Sequence, residues 1–150
     1  MKISQLLTPA LIKLDLESCC KDELFDEMVQ LFADNGLVKD FDGAVRVLQE
    51  RELKMSTGVG NGMAIPHGRL PEATNSLLAV GISREGIDYD ALDGEPVYIV
   101  LTIFAQMDNP MQHMEVLAEI SRLFAVPGFS ERLRKASSSE EVLEIIKSEE

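Results

Sequence analysis

Histidine occurs only at positions 67 and 113 of this chain, and His67 closes a stretch, Ser56 to Arg69, that also holds Gly58, Gly60, Gly62 and Gly68. Imidazole changes protonation near neutral pH and can act as proton carrier, ligand or nucleophile. Glycines allow positive φ or close backbone approach, and Pro66 fixes φ and removes an N–H just ahead of the histidine. A strand ending at Ile65 would stop there and leave His67 at an accessible rim. Spacing alone leaves His67 open between a functional group and an ordinary structural histidine.

Three chemistries suit such a residue. Metal binding needs three or four ligands, and neither His-x-x-x-His nor Cys-x-x-Cys accompanies the two histidines, so no metal and no other cofactor is expected. Hydrolysis needs an activated serine such as that of G-x-S-x-G, and no serine sits in that context. Phosphoryl transfer through the ring is the third: a neutral imidazole nitrogen attacks phosphorus without a separate base, and the N–P bond is labile enough to pass the group on. Catalysis then reduces to positioning and to neutralising phosphoryl oxygens, for which a glycine-turn anion nest, a nearby arginine and a second histidine would serve. The glycines spell G-x-G-x-G rather than a dinucleotide fingerprint, and no Gly-Lys-Ser/Thr follows, so a nucleotide loop is not expected.

These groups need a scaffold. Leu24, Phe25, Met28, Leu31 and Phe32 recur at helical spacing from Asp22, and Asn35-Gly36 provides the stop. Asp42 is the expected N-cap of a second helix with Val45, Leu48 and Leu53 on its apolar face, ending near Lys54 and carrying Arg51 and Glu52 in its final turns. Strands are expected at Met63 to Ile65, Leu77 to Ile82 and Val97 to Phe104, the last buried on both faces, with short ones within Leu11 to Leu16 and at Asp88 to Tyr89. A third helix follows the loop Gln106 to Pro110, with Leu117, Ile120, Leu123 and Phe124 inward and His113 in its first turn beside that stripe. Pro127-Gly128 ends it; a short helix spans Phe129 to Leu133. Ser138-Ser139-Glu140-Glu141 caps a terminal helix that packs Val142, Ile145 and Ile146, and Lys147 to Glu150 should fray. Helices on both sides of a central sheet give a three-layer α/β/α sandwich around a small mixed sheet.

The 150 residues fit one domain, and 14 basic against 26 acidic side chains give a net charge of −12. That charge, with no basic stripe, excludes a nucleic-acid partner, and no apolar run reaches bilayer length. The start has no secretory signal, so a cytoplasmic location is expected. Cys19 and Cys20 are adjacent, which suits neither zinc nor a structural disulfide, and are expected to be free and partly buried.

With R-E-L-K upstream, T-G-V-G-N-G-M-A-I-P-H-G-R resembles the phosphohistidine signature of the fructose/mannitol-type enzyme IIA domains of the bacterial phosphoenolpyruvate-dependent sugar phosphotransferase system (PTS), including their nitrogen-regulatory branch. The likeness spans nearly the whole chain, since D-G-E-P-V, the helix with His113 and the S-x-E-E helix follow in order. It implies that His67 takes a phosphoryl group on Nε2 from HPr or its nitrogen-branch counterpart, with Arg51 and His113 beside it and Thr57, Gly58, Gly60 and Asn61 shaping the phosphoryl pocket. Arg69 is expected to meet the partner at the rim, and Glu52 to be a surface or orienting carboxylate. The group would pass to a cysteine of a separate IIB component; alternatively, the phosphorylation state of His67 would control binding to a regulatory target such as a kinase or potassium transporter. A degenerate domain that no longer takes phosphate is a weaker third possibility, against which the retained His67, His113 and Arg51 speak.

Overall fold

The computed structural model describes residues 1–150. Two helices, α1 (Lys21–Asp34) and α2 (Phe41–Lys54), pack on each other and form one layer. Helix α1 buries Leu24, Phe25, Met28, Val29 and Phe32 and stops at Asn35, with Gly36 at φ 72°, as its apolar period and Asn-Gly stop require. The N-cap of α2 is Asp40 rather than Asp42: its carboxylate accepts the Gly43 amide at 3.0 Å, while Asp42 lies inside the first turn. A capping side chain must precede the helix and reach an amide three residues on, which Asp42 does not do. Leu53, expected inward, is 87% exposed. Five residues past Leu48 it lies about 140° round the helix from the buried stripe.

The sheet has six strands: β1 (Ile12–Lys13), β2 (Gly58–Gly60), β3 (Met63–Ala64), β4 (His67–Arg69), β5 (Leu77–Ile87) and β6 (Val97–Ala105). Spatial order is β1-β5-β6-β3-β2, with β4 following β3 along the same side of β6. β1 runs parallel to β5, β5 antiparallel to β6, β3 and β4 parallel to β6, and β2 antiparallel to β3. All of β6 except Tyr98 is buried. The expected short strand at Asp88 is a single bridge to Cys20.

Ala64 pairs with Val100 and His67 with Ile103, so the register is unbroken across Ile65–Pro66. This corrects the expectation that extended structure stops at Ile65. Pro66 cannot donate, yet its carbonyl accepts the Ile103 amide at 3.0 Å, and that bond carries the strand through to β4.

Side chains alternate across a strand, and this fixes the layers. Phe104 meets Phe32 of α1 edge-on at 5.2 Å; its register partner Gly68 faces α2, and a Cβ there would lie 2.3 Å from Val47. The neighbouring pair, His67 and Ile103, therefore points to the opposite face. That face is covered by α3 (Pro110–Phe124), α4 (Phe129–Lys135) and α5 (Ser139–Glu149), completing the expected α/β/α sandwich around a mixed sheet. Helix α3, capped by Asn109, buries Val116, Ile120 and Leu123, with Leu117 and Phe124 only half-buried. Helix α5, capped by Ser138, buries Val142, Leu143 and Ile146, with Ile145 half-buried. No helix is long and apolar enough to cross a membrane.

Two further expectations are corrected. The C-terminus does not fray: the Glu150 carboxylate accepts the Ser4 amide at 3.1 Å and its hydroxyl at 2.5 Å, and Arg122 donates to the Glu149 carbonyl at 3.0 Å. Charge-assisted bonds replace the missing apolar contacts. Cys19 and Cys20 are both free and exposed, because the main chain anchors that segment: Asp88 N–H donates to the Cys19 carbonyl at 3.0 Å.

Candidate active site

His67 opens β4, half-buried, on the face turned towards α3. Its Nδ1 lies 2.7 Å from the Ile65 carbonyl oxygen. A carbonyl only accepts, so Nδ1 carries the proton and Nε2 keeps its lone pair. Burial holds the ring below the ordinary histidine pKa; the bond to Ile65 opposes this, Arg51 adds to it and Glu52 opposes it. At neutral pH the ring is therefore uncharged, with the lone pair of Nε2 free.

His113, in the first turn of α3, brings its ring to 5.4 Å from that of His67, centroid to centroid, at 39°. Burial, then the charges of His67 and Arg69, lower its pKa, and its Nδ1 is buried without a hydrogen-bond partner. The two residues, distant in sequence, meet because β4 pairs with β6, and β6 leads through Gln106–Asn109 directly into α3.

Both rings border a cleft of about 590 Å³, to which α2 contributes Glu50, Arg51 and Lys54 and β4 contributes Gly68 and Arg69. Three cations against one carboxylate make this a positive site on an acidic chain, suited to a phosphoryl group. The Arg51 guanidinium donates from Nη1 to the Met55 carbonyl at 3.0 Å, so it caps the end of α2 while also lining the cleft. Lys54 and Glu50 are cleft residues beyond those expected from the sequence; the i, i+3 spacing of Arg51 and Lys54 is the signal that puts the two cations on one helix face. No three His, Cys, Asp or Glu side chains converge as a metal site.

Thr57, Gly58, Gly60 and Asn61 lie elsewhere, on the β2–β3 hairpin and not along the cleft. Thr57 is buried; its hydroxyl lies 2.5 Å from Glu52 and 2.7 Å from the Tyr89 hydroxyl. Gly58 packs so closely on Ala91 that a Cβ would lie 2.7 Å away. Gly60 and Asn61 form the turn at φ 99° and 57°, and the Asn61 amide donates to Asp93 at 3.2 Å. The glycine turn thus offers its Asn61 amide to an anion supplied by the protein itself.

Two neutral histidines bear on stability. In the unfolded chain each titrates near 6.5; in the fold both hold protons less tightly. Below 6.5 the unfolded state therefore binds more protons, and stability falls as pH is lowered from there towards the depressed folded values. Glu27, Glu119 and Glu141, held below their ordinary 4.5, act only at lower pH. Urea midpoints should accordingly decline between pH 7.5 and 5.5, and the double variant His67→Gln, His113→Gln should flatten that decline.

Comparison with known proteins accords with this geometry. The family model for the phosphoenolpyruvate-dependent sugar phosphotransferase system, EIIA 2, matches residues 5–149. The chain is 36% identical over 146 residues to the PTS system fructose-specific EIIABC component of Bacillus subtilis, covering 97% of this chain but 23% of that longer protein. It is 31% identical over 144 residues to the fructose-specific EIIA component of Haloferax volcanii, covering 96% of this chain and 94% of that one. The crystal structure of nitrogen regulatory protein IIA-Ntr from Neisseria meningitidis superposes with a TM-score of 0.88 at 33% identity, covering 96% and 98% of the two chains. A sequence match over nearly its whole length, with the same fold, places this chain in the EIIA type 2 family of the phosphoenolpyruvate-dependent sugar phosphotransferase system.

Proposed function

We propose that this chain is a single-domain histidine phosphocarrier whose acceptor atom is His67 Nε2. The observation that carries the proposal is the Nδ1 contact to the Ile65 carbonyl, which leaves Nε2 as the unprotonated nitrogen of a ring bordering a positive cleft. In the reaction Nε2 attacks the phosphorus of a phosphohistidine donor such as HPr or its nitrogen-branch counterpart; the new N–P bond forms as the donor's N–P bond breaks, and the donor leaves as a neutral imidazole. The charge gained by the His67 ring rests at Nδ1–H against the Ile65 oxygen. Arg51, Lys54 and Arg69 offset the phosphoryl oxygens, and His113, uncharged, donates its single ring N–H to them. Onward transfer reverses these steps towards a thiolate of a IIB partner, which gains the P–S bond as His67 departs neutral. The name of the Bacillus subtilis relative, an EIIABC component, supports a IIB partner.

Incubation with phosphoenolpyruvate, enzyme I and HPr should yield acid-labile phosphate on the protein; no label on folded wild type overturns the reading. Similarity to the Neisseria IIA-Ntr favours a second reading, in which the phosphorylation state of His67 governs binding to a target protein. Efficient transfer to a sugar IIB counts against a purely regulatory role.

Docking must be brief for phosphate to move on. Apolar side chains without partners flank the site residues in sequence: Leu53 and Met55 at the end of α2, and Met111 and Met114, one turn apart, around His113. Methionine suits a surface that meets several partners. Met111→Glu with Met114→Glu should raise the half-saturating donor concentration about tenfold at nearly unchanged maximal rate, which steady-state phosphorylation would measure.

A further inference from the structure

Behind the cleft lies a buried polar cluster that the phosphoryl chemistry above does not use. Arg51 and Glu52 are consecutive in the last turn of α2 and leave the helix about 100° apart. Arg51 lines the cleft, and Glu52 turns inward, its side chain 6% exposed. A carboxylate so placed needs partners, and Glu52 has them from three parts of the chain. Thr57 N–H lies 3.0 and 3.1 Å from its two oxygens, and the Thr57 hydroxyl 2.5 Å from Oε2. Lys21, at the start of α1, brings Nζ to 3.1 Å from Oε1. The Tyr89 hydroxyl stands 3.5 Å from Oε2 and 2.7 Å from Thr57 Oγ1. Burial keeps that phenol far above its ordinary pKa, so Tyr89 stays a hydroxyl donor.

The loop that these bonds close runs from Glu52 to Thr57, and its Met55 carbonyl is the group that holds the Arg51 guanidinium. We propose that Glu52 is a positioning residue for Arg51: its carboxylate clamps the 52–57 loop to α1 and to Tyr89, and so fixes the carbonyl on which the guanidinium rests at the edge of the cleft. This inference rests on the phosphocarrier reading for its consequence, the rate of transfer, though not for its geometry. The clamp also joins the end of α2 to the hairpin that leads on to His67, so one carboxylate sets both the cation and the strand carrying the nucleophile. Near-attack geometry is where a shift of about 1 Å costs most.

Glu52→Gln keeps the shape but offers one acceptor oxygen where the carboxylate offered two, and it removes the charge that Lys21 neutralises. In single-turnover uptake from phosphorylated HPr it should be about tenfold slower, with the half-saturating donor concentration changed less than about twofold. The Arg51 Nε–H resonance should move and broaden, and the His67 titration should shift to lower pH, because a nearby negative charge has gone. Glu52→Asp, which restores the charge on a shorter arm, should return the His67 titration most of the way and the rate in part.

Wild-type uptake by folded Glu52→Gln, with Arg51 Nε–H unmoved, overturns the proposal. If Glu52→Gln does not fold, Thr57→Val carries the test, since it deletes one donor to the clamp and leaves the charge: slower uptake at unchanged half-saturation supports the clamp, and unchanged uptake overturns it. Absence of label on the wild type itself tells against the phosphocarrier reading alone, and the Arg51 resonance then decides the clamp.

Discussion

His67→Gln should abolish phosphoryl uptake, a loss of about 10^4-fold or more of the kind that follows deletion of a nucleophile. The glutamine fills much of the ring's volume and places its amide nitrogen where Nε2 stood, giving up the bond from Nδ1 to the Ile65 carbonyl at 2.7 Å. An amide nitrogen, however, has its lone pair delocalised and does not attack phosphorus. The cleft cations remain, so the donor should still dock and half-saturation should hardly change. His113→Gln is the informative contrast. It removes the ring at 5.4 Å and should slow uptake while leaving a label on the protein. Quantifying acid-labile phosphate on the two variants after incubation with the donor cascade separates them. A persistent label on His67→Gln would move the acceptor to His113, whose Nδ1 has no carbonyl to fix its tautomer.

What was legible in the sequence divides along a physical line. Periodicity within one element carried well: the stripe from Leu24 to Phe32 and its Asn35-Gly36 stop, the buried run of β6, and the Ser138 cap of α5 are local facts, decided by neighbours three or four positions away. Two kinds of feature lie outside that line. Asp40 rather than Asp42 caps α2 because the helix starts two residues earlier, and Leu53 lies about 140° round it from Leu48. The others needed a partner distant in the chain: the continuation of the strand past Pro66 depends on the Ile103 amide, and the ordered C-terminus depends on Ser4.

The site follows the same division. His67 could be singled out from its own surroundings, but Arg51, His113 and the cleft exist as a group only because β4 lies on β6 between α2 and α3. Family likeness named the first two; spacing did not join them. The glycine turn shows the converse. Its composition suggests an anion nest, and the fold gives its Asn61 amide to Asp93, 32 positions away, while the cleft draws on side-chain cations. Glu52, expected as a surface or an orienting carboxylate, is not at the surface, and helical position alone does not reveal that Thr57, Lys21 and Tyr89 converge on it.

Arg51→Ala should slow uptake about 10^2- to 10^3-fold, the usual cost of removing a preorganised donor aimed at developing charge. Guanidinium is planar and has five N–H donors, and only Nη1 is engaged, with the Met55 carbonyl; the others are left to meet phosphoryl oxygens while the anchoring bond persists. Lysine cannot divide its charge in this way, so Arg51→Lys should recover part of the electrostatic effect but little of the geometry, and remain about tenfold or more below wild type. The sign of a second readout discriminates further. Arg51 lowers the His67 pKa, so Arg51→Ala should shift the His67 titration to higher pH, opposite to the shift from Glu52→Gln. A mutation that merely loosened the cleft would expose both histidines to water and raise their pKa values in either variant. Opposed shifts of His67 in the two variants, followed by NMR across pH 5 to 8, would show that the ring senses a cation and a carboxylate from adjacent positions of one helix turn; shifts of the same sign would mean that solvent access governs it.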